Sequence, residues 1–279
     1  MRRKTVRACA PLSVLVALAA FPGAAAQAQS PAGWGGLYLG LLGVSTDSTT
    51  TGTSLRGDGT FSSNASEEAA NLFVRGGGGG AVLGYQHQYP SGIIAGLEAD
   101  WVALRHEDRR DTLINPTDPT HGGMPGVSMQ RETDWIATAR LRLGYGDGPW
   151  MVQASAGLAL ASMMQTRTQY QRDTNPNRTV ARFSETDRAM PLGWTLGLGG
   201  AWQVADGWSL HLDYLHTQFD KVRFNFPNAR RGAGVSFSNV EGRNARNDVT
   251  LRMLRLGVTY TFGEGALAAI GQGSGTTLD

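Results

Sequence analysis

The chain has 279 residues, a formal net charge of +2, a single cysteine and 38 glycines. One cysteine excludes an internal disulfide framework, and no run of about 18 apolar residues after residue 30 predicts a spanning helix. Residues 1–28 carry four basic residues and no acid, which leaves a formal charge of −2 on the remainder. The basic pI of the whole chain therefore gives no reason to expect a nucleic-acid partner.

Residues 1–28 have the parts of a secretory signal peptide. Basic residues between Arg2 and Arg7 precede an apolar stretch that runs from Pro11 to Phe21, and Ala26 and Ala28 supply small residues at a cleavage site. The apolar stretch is too short for a membrane-spanning helix. We expect export and cleavage, which would remove Cys9 from the mature chain.

Eight segments of alternating apolar and polar residues follow in chain order, and each is about ten residues long. They cover residues 35–45, 81–89, 93–104, 135–145, 150–163, 192–204, 208–219 and 249–262. Short turn signals at 89–92, 146–149 and 205–207 alternate with long polar stretches at 46–76, 105–134, 166–190 and 220–248. An even number of strands with this asymmetry is typical of a transmembrane β-barrel, with short periplasmic turns and long extracellular loops. The predicted fold is an all-β, eight-stranded, antiparallel up-and-down barrel over residues 29–262.

The aromatic residues of these segments fall at two levels, as the two interfacial girdles of such a barrel would. Tryptophans, tyrosines and a phenylalanine flank the short turns or end the outer strands, and three further tryptophans lie nine to eleven residues farther along. The turn-side group is Trp34, Tyr89, Tyr145, Trp150, Trp202, Trp208 and Phe262, and the outer group is Trp101, Trp135 and Trp194. The alternative is an ordinary aromatic β-core.

The strand segments resemble a known family, the small eight-stranded outer-membrane barrels of the OmpA-like type, especially the alphaproteobacterial surface-antigen and porin-family branch. The resemblance rests on "GGLYLGLLG", "GGGGGAVLGYQHQYPSGIIAGLEADW", "ARLRLGYGDGPWMVQASAGLAL", "GWTLGLGGAWQVADGWSLHLDYLHT" and "LRLGVTYTF". It implies a location in the outer membrane of a Gram-negative bacterium and insertion by the outer-membrane assembly machinery.

The last strand also resembles the signal that this machinery reads. Polar Arg255 and Gly257 are followed by Tyr260 and Phe262 at alternate positions. Members of the family usually end on that phenylalanine, whereas this chain continues through residues 263–279. We interpret this extension as a short periplasmic tail that is too short for a peptidoglycan-binding domain; a docking peptide is the alternative.

Acidic and arginine side chains are predicted to meet at one level inside the barrel. Strand alternation turns Glu98 and Asp100 inward, six and eight residues beyond the nearest turn, and the inward-facing arginines on the next strand lie six and four residues before theirs. The full set is Glu98, Asp100, Arg140, Arg142, Asp213 and Arg255. Buried charges need partners, so the expected product is a belt of salt bridges that plugs the lumen. A narrow ion path with a selective charge ring is the alternative.

Enzymatic chemistry is the rival function. His211 is predicted to face the lumen near Asp213, with Ser209 two residues before it, but no nucleophile-elbow motif accompanies them. The other histidines lack the spacing of a zinc site. "RGGGGG" (75–80) lacks the lysine of a phosphate loop and leads into a strand. We therefore expect no enzyme, no metal and no cofactor.

The long loops are rich in arginine, which binds phosphate groups in a bidentate manner. We hypothesise that loop arginines, in part on hairpins that continue above the membrane, contact lipopolysaccharide phosphates; solubilising charge is the alternative. The candidates are Arg109, Arg110, Arg172, Arg178, Arg182, Arg230 and Arg231. The expected function is structural, in envelope integrity and surface interaction, with membrane lipid and host or cell-surface ligands as partners. A low-conductance channel for small solutes is the second hypothesis, and an enzyme that acts on lipid is the third.

Overall fold

The computed structural model describes residues 33–56, 72–112, 127–172, 179–228 and 242–262. The predicted signal peptide (1–28) and tail (263–279) lie outside these ranges, so both remain predictions. The described residues form strands and turns, and none of them belongs to a helix that is long and apolar enough to cross a membrane.

Nine antiparallel strands make up the described fold, and eight of them close into a ring. The ring runs β1-β2-β3-β4-β5-β7-β8-β9 and closes where β1 pairs with β9. This confirms the predicted all-β barrel. The strands are β1 (Gly36–Arg56), β2 (Leu72–Gln88), β3 (Ile93–Thr112), β4 (Val127–Asp147), β5 (Trp150–Arg172), β6 (Thr179–Ala189), β7 (Leu192–Ala205), β8 (Trp208–Phe226) and β9 (Arg243–Thr261).

Three tight turns join strands at one end of the ring, which we call the turn end; the opposite end is the loop end. Each turn contains a glycine in the left-handed region that other residues disfavour: Gly92 (φ 83°), Gly148 (φ 55°) and Gly207 (φ 73°). All three lie within the predicted turn signals.

The strands are much longer than the predicted ten residues, so the predicted bounds of the long loops are wrong. β5 has 23 residues and β7, the shortest strand of the ring, has 14. The flanks of the predicted loops continue the pairing because threonine, valine and phenylalanine suit a strand and each further pair satisfies backbone groups. The hypothesised hairpin is present, since β5 pairs with β6 from Met163 to Arg172. Its position above the membrane remains a prediction.

The ninth strand, β6, is an upward continuation of β7. Pro191 lies between them, and β5 pairs with β7 below that point and with β6 above it. β6 also contacts the upper part of β8 through side chains. The backbone N–H of Asn225 donates to the Asp187 carboxylate (2.7 Å), and the side-chain amide of Asn228 donates to Glu185 (3.2 Å).

Strand alternation divides each wall into an apolar outer face and a lumenal face, as the sequence predicted for the third, fourth and sixth strands of the ring. Leu141 and Leu143 on β4 are exposed outward, whereas Arg140 and Arg142, which alternate with them, are buried in the lumen.

Most predicted girdle residues also face outward. Tyr89, Tyr145, Trp150, Trp202, Trp208, Phe262, Trp101 and Trp194 are exposed, and Trp135 is half-buried. Their position at a membrane interface remains a prediction.

Trp34 is the exception, and its assignment to the girdle is wrong. Its side chain is only 3% exposed and packs against Ile94, Met151 and Ala201 inside the turn end. The indole N–H donates to the carbonyl of Gly148 (3.3 Å). Trp34 precedes β1, so strand alternation does not set its direction, and Gly36 (φ 129°) lets the chain bend beneath the lumen.

The glycines of β2 give a test of the wall geometry. A β-carbon at lumen-facing Gly80 would overlap the carbonyl oxygen of Trp101, whereas one at outward-facing Gly79 would lie 3.4 Å from the Leu42 carbonyl oxygen, an ordinary contact. We expect Gly80→Ala to destabilise the barrel by about 1–3 kcal/mol, as overpacking does. Gly79→Ala should be neutral or stabilise it by up to about 1 kcal/mol.

Urea unfolding in detergent micelles, followed by tryptophan fluorescence, measures both changes. Equal effects of the two substitutions would contradict the register of β2 against β3.

Candidate functional site

The six charged residues predicted for the lumen lie on four strands of the ring. Strand alternation directs Glu98 and Asp100 inward from β3, and Glu98 lies directly opposite Arg140 of β4. On the other side of the ring Asp213 of β8 lies opposite Arg255 of β9. All six are buried, with Glu98 7% exposed and Arg255 2% exposed. We call these six residues the charge belt: Glu98, Asp100, Arg140, Arg142, Asp213 and Arg255.

Three arginines converge on the two acids of β3. Arg140 contacts both Glu98 and the Oδ2 atom of Asp100, the latter at 2.7 Å. Arg142 reaches the second carboxylate oxygen of Glu98 at 2.6 Å. Each contact joins opposite charges within a hydrogen bond's length, the geometry in which buried ions compensate one another.

Arg255 spans the lumen and joins the two halves of the charge belt. Its Nη1 atom lies 2.6 Å from Asp100, and its Nη2 atom lies 3.1 Å from Glu98 and 3.2 Å from Asp213. One guanidinium therefore links β9 to β3 across the ring and to its neighbour β8. Three arginines and three acids make the charge belt formally neutral.

Several neutral side chains complete the network, and the sequence analysis did not name them. The Tyr38 hydroxyl donates to Glu98 (2.7 Å), and the Arg142 guanidinium contacts that hydroxyl and lies 5.3 Å from the ring centre. The Thr138 hydroxyl donates to Asp100 (2.8 Å), and the Gln153 amide donates to Asp213 (2.8 Å). The alternation of Tyr38 with outward-facing Leu37 and Leu39 was the signal that could have identified it.

His211 lies in the lumen, as predicted, and its partner is a hydroxyl group. The ring Nε2 atom is 2.7 Å from Thr259 Oγ1. Ser209, the residue two positions before it, is also buried. A histidine held by a threonine hydroxyl is a structural arrangement, whereas water activation needs a base that is oriented toward a reacting group.

Apolar layers lie on both sides of the charge belt. At the turn end, Trp34, Ile94, Met151 and Ala201 pack together. Toward the loop end, inward positions of the belt strands beyond the belt and Thr138 belong to one continuous apolar core. This core includes Val102, Ile136, Leu215 and Met253, and farther up Phe219, Phe224 and Phe226.

A second polar layer lies above that core. Arg131 hydrogen-bonds to Thr50 across the lumen and lies 6.0 Å from the ring centre of Phe224. The Asn247 amide donates to Gln165 at 2.8 Å. The lumen of the described residues is thus filled in successive layers, two apolar and two polar.

Metal binding finds no support in the described ranges, where no group of three or more histidine, cysteine or acidic residues is suitably clustered. The acids of the charge belt are already in contact with arginines.

The structure describes the backbone of only some arginines that were proposed to contact lipopolysaccharide. Arg109 and Arg110 belong to β3, Arg172 to β5 and Arg182 to β6. Arg178, Arg230 and Arg231 lie outside the described residues. The contacts of all seven with lipid remain a hypothesis.

The residues that resemble the assembly signal lie on β9, the strand that closes the ring. Arg255 and Gly257 face the lumen, while Tyr260 and Phe262 face outward with ring centres 5.1 Å apart. Arg255 therefore belongs both to this pattern and to the charge belt.

Comparison with known proteins gives one family and several relatives. Residues 14–262 match the family model described as "Outer membrane protein beta-barrel domain". The 31 kDa outer-membrane immunogenic proteins of Brucella melitensis biotype 1 and Brucella suis biovar 1 are each 28% identical over 199 residues, which covers 70% of this chain and 70% of the relative.

Solved structures of low sequence identity are also similar to the chain. The outer membrane protein OprG of Pseudomonas aeruginosa matches with a TM-score of 0.44 and 10% identity over 82% of this chain and 97% of that one. Neisserial surface protein A matches with a TM-score of 0.32 and 11% identity over 79% and 97% of the respective chains.

The charge belt predicts an asymmetry between buried and exposed ion pairs. Glu98→Gln removes a charge that contacts three arginines, so we expect a loss of about 3–5 kcal/mol in unfolding free energy. Arg188→Ala breaks the exposed pair with Asp134 (3.6 Å) and should cost about 0–1 kcal/mol.

Urea titration of the two purified variants beside the unsubstituted protein gives both values. A cost below about 1 kcal/mol for Glu98→Gln would mean that the charge belt does not hold the ring together.

Proposed function

The chain belongs to the family of outer-membrane protein β-barrel domains, and from this membership we propose that it acts through its outer surfaces while its lumen stays closed. It is a protein of the outer membrane of a Gram-negative bacterium and is similar to surface antigens. The proposed role is structural, in envelope integrity and in surface interaction through the segments above the membrane. The single observation that carries the proposal is the position of the neutral charge belt between two apolar layers.

A closed lumen follows from the physics of ion transfer. An ion that leaves water loses its hydration shell, which costs several kcal/mol or more unless new ligands replace that shell. The charges of the belt already compensate one another, and the apolar layers offer no replacement ligands. The charge belt therefore acts as a plug that also links opposite walls.

The surface role rests on how far the strands continue beyond the belt. β5 reaches the level of the charge belt at Gly157, which lies opposite Arg140, and continues to Arg172. β6 runs back beside this upper part of β5. The Brucella relatives are named immunogenic proteins, and by analogy we propose that these extensions are exposed on the cell. Arginines on them would contact lipopolysaccharide phosphates, and their tips would contact host or cell-surface ligands.

A low-conductance channel is the second candidate, and one observation favours it. Some buried polar atoms of the belt form no hydrogen bond to another described residue, among them Nη1 of Arg140, Nη2 of Arg142 and Oδ1 of Asp100. Such atoms are ordinarily satisfied by ordered water. A hydrated belt could pass small ions if the apolar layers opened. Enzymatic action on lipid is not proposed, because the hydroxyl–histidine pair of Thr259 and His211 is buried in the lumen, away from the lipid-facing wall.

Conductance in planar bilayers separates a plug from a pore. We expect the full chain, after signal removal, to give no steady channel, because apolar layers lie on both sides of the belt. Trp34→Ala should also stay closed, since it opens only the turn-end layer. A steady channel whose ion selectivity changes in Glu98→Gln would overturn the plug and establish the second candidate.

The envelope role is tested in cells that lack the protein. We expect such cells to take up more of a hydrophobic dye, and the unsubstituted chain to restore the barrier. The variant Ala154→Leu serves as a control for expression, because residue 154 is exposed on the outer face of β5 and belongs to neither the charge belt nor the girdle. Unchanged dye uptake in the deletion strain would contradict a role in envelope integrity.

A further inference from the structure

Two arginines face each other on the outer wall of the barrel near the loop end. Arg223 of β8 lies directly opposite Arg246 of β9, and both side chains are exposed. We call these two residues the arginine pair. The backbone N–H of Asn225 points toward β6, so strand alternation turns the N–H of Arg223 the same way, away from β9. The arginine pair is therefore of the kind without hydrogen bonds between its two backbones, in which side chains lie closest.

A facing pair of like charges destabilises a sheet unless something compensates it. Two other exposed arginines of the outer wall have an acidic partner: Arg188 lies 3.6 Å from Asp134, and Arg252 lies 3.4 Å from Asp47. Within the described ranges, neither member of the arginine pair makes a contact of this type. The repulsion between the two guanidinium groups is thus left to a ligand or to solvent.

The nearest exposed acids of the same two strands lie on the turn-end side of the arginine pair and have other partners. The Asp248 carboxylate accepts from the backbone N–H of Lys221 (2.9 Å), and the Asp220 carboxylate accepts from the Gln218 amide (3.2 Å). Lys221 lies in a bulge of β8, and it is the one non-glycine residue of the described ranges with a positive φ (57°). With its exposed side chain, three cations stand beside two acids, so the excess positive charge lies toward the arginine pair.

The height of the arginine pair on the wall suits a lipid headgroup. Trp194 of the outer aromatic group lies opposite Gln218, which lies opposite Thr250 of β9. Arg246 is four residues beyond Thr250, and a tilted strand climbs about 2.5 Å per residue, so the pair stands roughly 10 Å beyond the tryptophan. Tryptophan side chains favour the boundary between hydrocarbon and headgroups. The guanidinium groups therefore reach the level at which headgroup phosphates lie.

We propose that the arginine pair binds a phosphate monoester on the headgroup of an outer-leaflet lipid. A phosphate monoester carries a charge of about −1.5 to −2 near neutral pH and has three terminal oxygens. Two guanidinium groups neutralise that charge and donate to those oxygens in paired, charge-assisted hydrogen bonds. The ligand thereby replaces a repulsion with two attractions. A phosphodiester has one charge and two terminal oxygens, so it compensates only half of the arginine pair.

This inference rests on the proposed function, because it needs the loop end to lie in the outer leaflet. It adds a site that the seven loop arginines named above do not include, and it names the chemical group that is bound.

The test measures the binding of purified lipopolysaccharide, a lipid with phosphate monoesters, to the full chain in detergent after signal removal. Native mass spectrometry counts the bound lipid. We expect Arg223→Gln with Arg246→Gln to bind at least about tenfold more weakly, because charge-assisted contacts to phosphate are lost. Unchanged binding would overturn the site.

The thermal unfolding of the same double variant in lipid-free detergent gives an independent readout. Its midpoint should equal or exceed that of the unsubstituted chain, because a repulsion has been removed. A lower midpoint would mean that the arginine pair has a stabilising partner within the protein, and it would overturn the proposal.

The matched control removes the same amount of charge from the same wall. Arg188→Gln with Arg252→Gln replaces two exposed arginines that already have acidic partners. This variant should bind lipopolysaccharide as the unsubstituted chain does. An equal loss of binding would reduce the effect to general charge and remove the case for a site.

Three ligand arms identify the bound group and its source. Phosphatase-treated lipopolysaccharide should bind the unsubstituted chain and the double variant equally, and phosphatidylglycerol, a phosphodiester, should do the same. A persisting difference with either lipid would contradict the choice of a phosphate monoester. If inorganic phosphate raised the unfolding midpoint as much as lipopolysaccharide does, the ligand would be free phosphate and the assignment to a lipid would fall.

The outcomes for this site and for the proposed function are separable. If Arg109→Gln with Arg110→Gln lost binding while the arginine pair variant kept it, the surface role would stand and this site would fall. If the pair variant lost binding while deletion of the protein left dye uptake unchanged, the site would stand and the envelope role would fall.

Discussion

The pairing of β1 with β9 is the interaction on which the rest of the structure depends. It runs from Tyr38 opposite Thr261 to Arg56 opposite Arg243 and converts an open sheet into a ring. In hydrocarbon no water is available for unpaired backbone groups, so an open edge would cost several kcal/mol for each group. Ring closure also separates a lumen from an outer face. The charge belt and the apolar layers lie in that lumen, and the lipid-facing wall is the outer face.

The interior shows how a narrow ring can hold six charges at a tolerable cost. Desolvation of an ion is expensive, and each belt residue recovers that cost only through partners supplied by other strands. Arg255 depends on acids from β3 and β8, and Glu98 depends on arginines from β4 and β9. These links run across the lumen as well as along the wall. They therefore add rigidity to the cross-section, which hydrogen bonds between neighbouring strands alone do not supply.

Much of the fold and the charged residues of the lumen could be predicted from the sequence, because strand alternation has a period of two. Once Leu97 and Trp101 face lipid, Glu98 and Asp100 must face inward, and similar distances from the turns bring Arg140 and Arg142 close to the same level. The resemblance to known barrels supplied the outer-membrane location.

The remaining features could not be predicted, because alternation says nothing about where a strand stops or what precedes it. Trp34 lies before β1, and its direction depends on the backbone at Gly36. β5 and β6 continue because each polar pair on their flanks satisfies the backbone, although the local composition resembles that of a loop. The contact of Tyr38 with Glu98 joins residues 60 positions apart, and such a contact needs the curvature of the ring.

The docked position of Trp34 makes this residue a built-in reporter of assembly. Its apolar neighbours Ile94, Met151 and Ala201 come from β3, β5 and β7, and its indole donates to the turn between β4 and β5. No partly folded hairpin contains all of these groups, so the indole leaves water only when most of the ring is in place. The fluorescence of Trp34, just before the first strand, therefore reports whether the later strands have come together.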